Sequence, residues 1–145
     1  MSQENVDIVV GLQPSPDVDL VQLFGDEKLW AGVSGAAAQL MQHDFECAFV
    51  GATPSEASYA GAAGLRALWL DWLVPWAAYR VEVDQAIDLD DRVLLLTHDY
   101  GRREGDAEEV VLRGSAIWTF RDGKIARAEF YPIRDEALNA VGLEK

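Results

Sequence analysis

The side chains best suited to chemistry lie together past the middle of the chain. His98-Asp99-Tyr100 follows the apolar run Val93-Leu94-Leu95-Leu96. A carboxyl carried into an apolar interior without a cation resists ionisation. Its pKa climbs toward the range useful to a general acid or base. An imidazole beside it can shuttle protons near neutral pH. In that chemistry Asp99 or His98 takes a proton from the carbon α to a ketone, while Tyr100 or Tyr59 donates to the oxygen. The plainer alternative leaves Asp99 at the solvent rim of a strand end and gives His98 a structural place. Consecutive strand residues face opposite ways, so a register error of one exchanges the two.

Other reactive types are sparse. His43, Asp44 and Glu46 offer three ligands in four residues, but His43 and Glu46 point to opposite faces of a strand. No metal site is expected there. Cys47 is the single cysteine, which excludes an internal disulfide and a multi-cysteine zinc site. It reads as a small buried apolar residue, since a nucleophile needs a base beside it. Gly101 to Gly105 lies between strands, not ahead of a helix, so no nucleotide cofactor is expected. With 12 basic and 25 acidic residues the net charge is −13. Such a surface repels phosphate backbones and anionic lipid, so neither nucleic acid nor membrane is an expected partner. The start of the chain lacks the pattern of a signal peptide, and the expected address is the cytoplasm.

The elements that must position these residues are legible from punctuation and period. One domain spans residues 1–145, with residues 1–30 an irregular or helical N-terminal segment. Pro14 and Pro16 make residues 13–17 a loop, after which Asp17 or Asp19 caps a short helix. Helical spacing predicts a helix over 27–42 and another over 62–74. Leu65, Leu68, Trp69, Trp72, Leu73 and then Trp76 form the apolar face of the second, which Pro75 ends. Residues 51–61 read as a loop. Strands are expected over 45–50, 79–84, 92–100, 110–120 and 125–133, and a short helix over 135–141.

The last hairpin, around Arg121-Asp122-Gly123-Lys124, admits two registers. A two-residue turn pairs Phe120 with Ile125 and Trp118 with Arg127. A three-residue loop pairs Phe120 with Lys124, Trp118 with Ala126 and Ala116 with Ala128. The second separates apolar from polar faces more cleanly and is the expected one. It sets Gly114, Ala116, Ala126 and Ala128 together on the inner face, where their small size either receives the tryptophans or leaves a pocket.

Several segments together resemble the SnoaL-like proteins of the nuclear transport factor two-like superfamily. They are the opening residues 1–9, Tyr59-Ala60-Gly61 leading to Gly64-Leu65-Arg66, and Tyr79-Arg80-Val81-Glu82 after a Trp-rich helix. The strongest is residues 116–125, followed by Glu129-Phe130-Tyr131 and Glu136-Ala137-Leu138. The resemblance covers most of residues 43–143, and the Pro-containing stretch 13–30 departs from it. It implies an α+β fold in which a curved antiparallel sheet forms a cone, with helices packed on its concave side around an apolar cavity. It also implies frequent homodimers through the outer sheet face. Fold alone does not settle chemistry.

Family catalytic positions carry over poorly. The isomerase-type base falls near Cys47, and the isomerase acid near Ala116. Of the epoxide-hydrolase Arg and Asp, which fall near Thr97 and Asp99, only the Asp matches. The second such Asp and the cyclase acid/base fall near Phe130 and Tyr131. By this alignment Asp99 points inward and His98 outward. The expected pocket comprises Cys47, Tyr59, Trp69, Trp72, Trp76 and Tyr100 from the first part of the chain. Gly114, Ala116, Trp118, Ala128 and Phe130 complete it. The ligand is expected to be a small apolar or polycyclic molecule, with cofactor-free acid–base chemistry of isomerase, cyclase or hydrolase type. The alternative is a non-catalytic ligand-binding or dimeric assembly module.

Overall fold

Two aspartates start the helices that follow the proline loop. Asp19 accepts from the Val21 amide, and Asp26 from those of Lys28 and Leu29, so each satisfies donors that an uncapped helix leaves open. The computed structural model describes residues 3–50 and 59–143. In chain order the elements are α1 (Gln3–Leu12), α2 (Leu20–Gly25), α3 (Glu27–Gln39), β1 (Met41–Phe49), β2 (Tyr59–Ala60) and α4 (Gly61–Leu73). Then come β3 (Trp76–Asp88), β4 (Arg92–Arg103), β5 (Val110–Arg121), β6 (Lys124–Tyr131) and α5 (Arg134–Ala140). Of the expected loop over 51–61, residues 51–58 lie outside the described ones.

The curved sheet runs β2-β1-β6-β5-β4-β3. It is mixed rather than wholly antiparallel, because β1 lies parallel to β6. α4 does not extend its apolar face to Trp76. Pro75 ends the helix and Trp76 opens β3, where its ring covers Gly101; a Cβ there would lie 2.5 Å from the indole.

The last hairpin corrects the expected register. Asp122 and Gly123 both have positive φ, 53° and 80°, the backbone of a two-residue turn. Phe120 therefore opposes Ile125. A β-bulge at Ala126 then shifts the pairing, so Trp118 meets Ala128 and Ala116 meets Phe130. The extra residue lets Ile125 and Ala128 both point inward, each fully buried. The division of β5 into faces is as expected, and Ile125 moves from the polar face to the core.

Alternation along β4 explains its apolar run. Val93 and Leu95 face the main core with α1, α3 and α4. Leu94 and Leu96 face the other side with Ile117 and Tyr131, where Ala137 of α5 seals them. The helices thus do not all pack on one side: α5 covers part of the outer face, because that face carries its own apolar patch.

Candidate functional site

The same alternation sends Thr97 and Asp99 inward and His98 and Tyr100 outward. Asp99 is 8% exposed. Its Oδ1 accepts from Thr97 Oγ1 at 2.7 Å, and its Oδ2 from the Tyr79 hydroxyl at 2.6 Å. Tyr79 lies on β3 with the parity of Val81 and is itself buried. Gly114 stands opposite Thr97 on β5. A Cβ there would come within 2.6 Å of Thr97 Oγ1 and 2.9 Å of Asp99 Oδ1. The missing side chain is therefore the space in which the carboxyl and its hydroxyl partner meet.

Electrostatics follow from burial. Desolvation holds the Asp99 carboxyl above its ordinary pKa, against the opposing pull of the Tyr79 and Thr97 hydrogen bonds and of the Arg134 and His98 charges. Burial, then the Asp99 charge and hydrogen bond, push the Tyr79 phenol up, so it stays a donor. The Trp72 indole N–H favours the phenolate from nearby without forming a hydrogen bond of normal geometry.

These groups sit in the wall of a cavity of about 490 Å³. Apolar and aromatic side chains from α2, α4, β1, β5 and β6 make most of that wall, among them Phe24, Trp69, Trp72, Phe49, Trp118 and Phe130. Phe49, Trp69 and Phe130 pack on one another with ring centroids 5.2–5.3 Å apart. Among the described residues Asp99 is the one charged member of the lining. α3 closes one side with Trp30, Gly32, Val33, Ala36 and Ala37, yet only Ala37 of that helix is buried. Leu29 and Val33 are 49% and 43% exposed, and a Cβ on Gly32 or Gly35 would meet nothing within 4 Å.

Of the expected pocket residues, Trp69, Trp72, Gly114, Ala116, Trp118 and Phe130 line this cavity. Cys47 and Ala128 do not. They pair across β1 and β6 and are wholly buried, and desolvation pushes the Cys47 thiol up to about 12, the opposite of an activated nucleophile. Trp76 is committed to Gly101. Tyr100 is on the outer face with the Arg80 guanidinium 4.0 Å above its ring. Tyr59 hydrogen-bonds Asp71 on α4. Neither Tyr100 nor Tyr59 lines the cavity; the tyrosine that does so beside Asp99 is Tyr79, and its hydroxyl hydrogen is given to that carboxyl. Tyr79 was missed although its alternation with Val81 marked it as inward. Thr97, two residues before Asp99, carried the same signal.

His98 is likewise not a cavity residue. Its Nδ1 lies 2.6 Å from Asp84 Oδ2 on the outer face, where Arg134 also approaches Asp84 at 3.4 Å. Asp44 is engaged by Arg121 at 2.6 Å and Glu46 by Arg127 at 2.5 Å. Among the described residues no cluster of His, Cys, Asp and Glu is arranged to hold a metal, and no helix is long and apolar enough to cross a membrane.

Residues 23–128 match the SnoaL-like domain family, and the chain belongs to it. An NTF2-like protein from Burkholderia pseudomallei K96243 is 15% identical over 97% of this chain and 98% of its own, with a TM-score of 0.63. TerC, co-crystallised with polyporic acid, is 19% identical over 78% of this chain and 92% of its own, with a TM-score of 0.55. A protein of ketosteroid isomerase-like fold from Catenulispora acidiphila DSM 44928, in complex with trimethylamine, is 14% identical. That match covers 90% of this chain and 95% of the other, with a TM-score of 0.57. At these identities the likeness establishes the fold. No curated protein matches the chain.

Proposed function

We propose that the cavity takes a small, largely apolar or polycyclic carbonyl compound, and that Asp99 exchanges a proton with it without a cofactor. One observation carries the reading: among the described residues, a buried carboxyl with a raised pKa is the only charged group in a mostly apolar wall. The cavity volume falls within the ~300–1,000 Å³ usual for small-molecule sites. With no cation among the described lining residues, a neutral ligand suits the cavity better than an anionic one. In the carboxylate form Asp99 takes the proton α to the carbonyl, and the electron pair of the C–H bond passes to the carbonyl oxygen as an enolate. Returning the proton to another carbon completes an isomerisation. A pKa nearer neutrality serves both halves. Relatives crystallised with small molecules support the use of the cavity.

A second reading has its own observation. Both Asp99 oxygens already accept hydrogen bonds, from Tyr79 and Thr97, as expected of a residue that merely shapes a binding cavity. Homodimerisation belongs to either reading, through the strip of the outer face bearing Tyr100, Val111 and Arg113; a monomer in light scattering removes it. To separate the two, ketones, lactones and polycyclic aromatics are screened by thermal shift. Deuterium exchange at the α carbon of a ketone that binds is then followed by NMR. The enzyme reading expects exchange in the wild type and its loss in Asp99→Asn with binding retained. Equal exchange in both proteins overturns it.

A further inference from the structure

We propose that Arg134 is a positioning residue for the Asp99 carboxyl, acting through the sheet from the face opposite the cavity. Arg134 opens α5, and its side chain is only 11% exposed. Its Nη2 donates to the Thr97 carbonyl at 2.6 Å and the Gly114 carbonyl at 3.3 Å, and lies 3.4 Å from Asp84 Oδ2. Those two carbonyls belong to cross-strand partners. On the inner face the same two residues form the nest of Asp99: the Thr97 hydroxyl donates to it, and the absent Gly114 side chain makes room for it. One guanidinium therefore joins the two strands at the pair of residues that hold the carboxyl. A buried guanidinium needs such acceptors to offset its desolvation, and here both carbonyls are reached by the two hydrogens of one terminal nitrogen. Its Nε is buried without a partner, so Nη2 makes the grip.

The guanidinium also acts by charge, pulling the Asp99 pKa down against desolvation. The groups around the carboxyl are Tyr79 on β3, Thr97 and His98 on β4, and Arg134 on α5. Around Arg134 stand Asp84 on β3, which partly neutralises it, and His98, which Asp84 also holds; Arg113 on β5 pairs opposite His98. Removing Arg134 and removing its counter-charge should thus move Asp99 in opposite directions.

The inference rests on the reading of Asp99 above for its functional meaning, and the test is independent of it. The Asp99 carboxyl is titrated by carbon NMR in the ligand-free protein. In Arg134→Met its midpoint should rise by about half a pH unit or more, and in Asp84→Asn it should fall. A midpoint that stays put in both, with only a lower melting temperature in Arg134→Met, overturns the assignment. If Arg134→Met does not fold, Arg134→Gln, which keeps a donor for the two carbonyls and removes the charge, decides: a raised midpoint supports the role and no movement sinks it. Loss of the proton-exchange reading with these shifts intact leaves Arg134 in place; shifts absent beside an active Asp99 remove only Arg134.

Discussion

On the inner face of β4, Asp99 meets two hydroxyls and an aromatic wall. On the outer face, a sheet's thickness away, Asp84 meets an imidazole and a guanidinium. Both are aspartates on neighbouring strands, and their pKa values move in opposite directions. For Asp99 desolvation exceeds everything that favours the anion. For Asp84 desolvation is again the largest single influence, but His98 and Arg134 together outweigh it, and its pKa falls. The difference teaches that burial and partners must be weighed together, and that β4 contributes to both environments by alternation, sending Thr97 and Asp99 inward and His98 outward.

The contrast can be broken most sharply at Asp99. Asn in its place should slow α-proton exchange by roughly 10²–10⁴-fold, the usual contribution of a general base. The stability of that variant should also depend on pH in a definite sense. A carboxyl whose folded pKa is raised costs stability as pH rises from the unfolded toward the folded value. Asp99→Asn should therefore gain on the wild type across that window, by urea unfolding at several pH values. Asp84→Asn should do the reverse, because the stability Asp84 contributes is present above its unfolded pKa and is lost in acid. Parallel pH trends would dissolve the comparison.

Next in size, Gly114→Ala should cost about 1–3 kcal/mol, since its methyl invades the space of Thr97 Oγ1 and Asp99 Oδ1. The same change should weaken ligand binding, measured by calorimetry. Tyr79→Phe should cost about 1 kcal/mol in denaturant melts and raise the Asp99 midpoint further, because it deletes a hydrogen bond to the anion. Smallest is His98→Gln. Its partly exposed pair with Asp84 should be worth less than about 1 kcal/mol, and exchange at the α carbon should be unchanged. A large loss of exchange in His98→Gln would return the imidazole to the chemistry.

Much of this was legible in the residues. Periodicity marked α3, α4 and the strands, and Asp99 stood out as the polar break in an apolar strand. The hairpin was not, because local face separation favoured a register in which β6 ran without interruption. The bulge at Ala126 reconciles a two-residue turn with the same faces, and nothing in the local sequence announces it. Nearness in sequence to Asp99 points to Tyr100, and nothing in the residues around Asp99 points to Tyr79. Register across β3 and β4 makes Tyr79 the partner over twenty residues of separation. The Arg134 grip was invisible for a similar reason: it acts on backbone carbonyls, which no side-chain pattern reveals.

The glycine-rich helix α3 has a kinetic consequence. It walls the cavity with Ala37 as its one buried residue and Trp30 as its one large ring on the core, and interior glycines weaken a helix by roughly 0.5–1 kcal/mol each. Elements with so little apolar attachment open first. If the cavity takes the proposed ligand, α3 is the wall whose opening would leave the six strands and the acid in place. Its amides should be among the earliest to take up deuterium, and Gly32→Ala with Gly35→Ala should lengthen the residence of whatever the chamber holds.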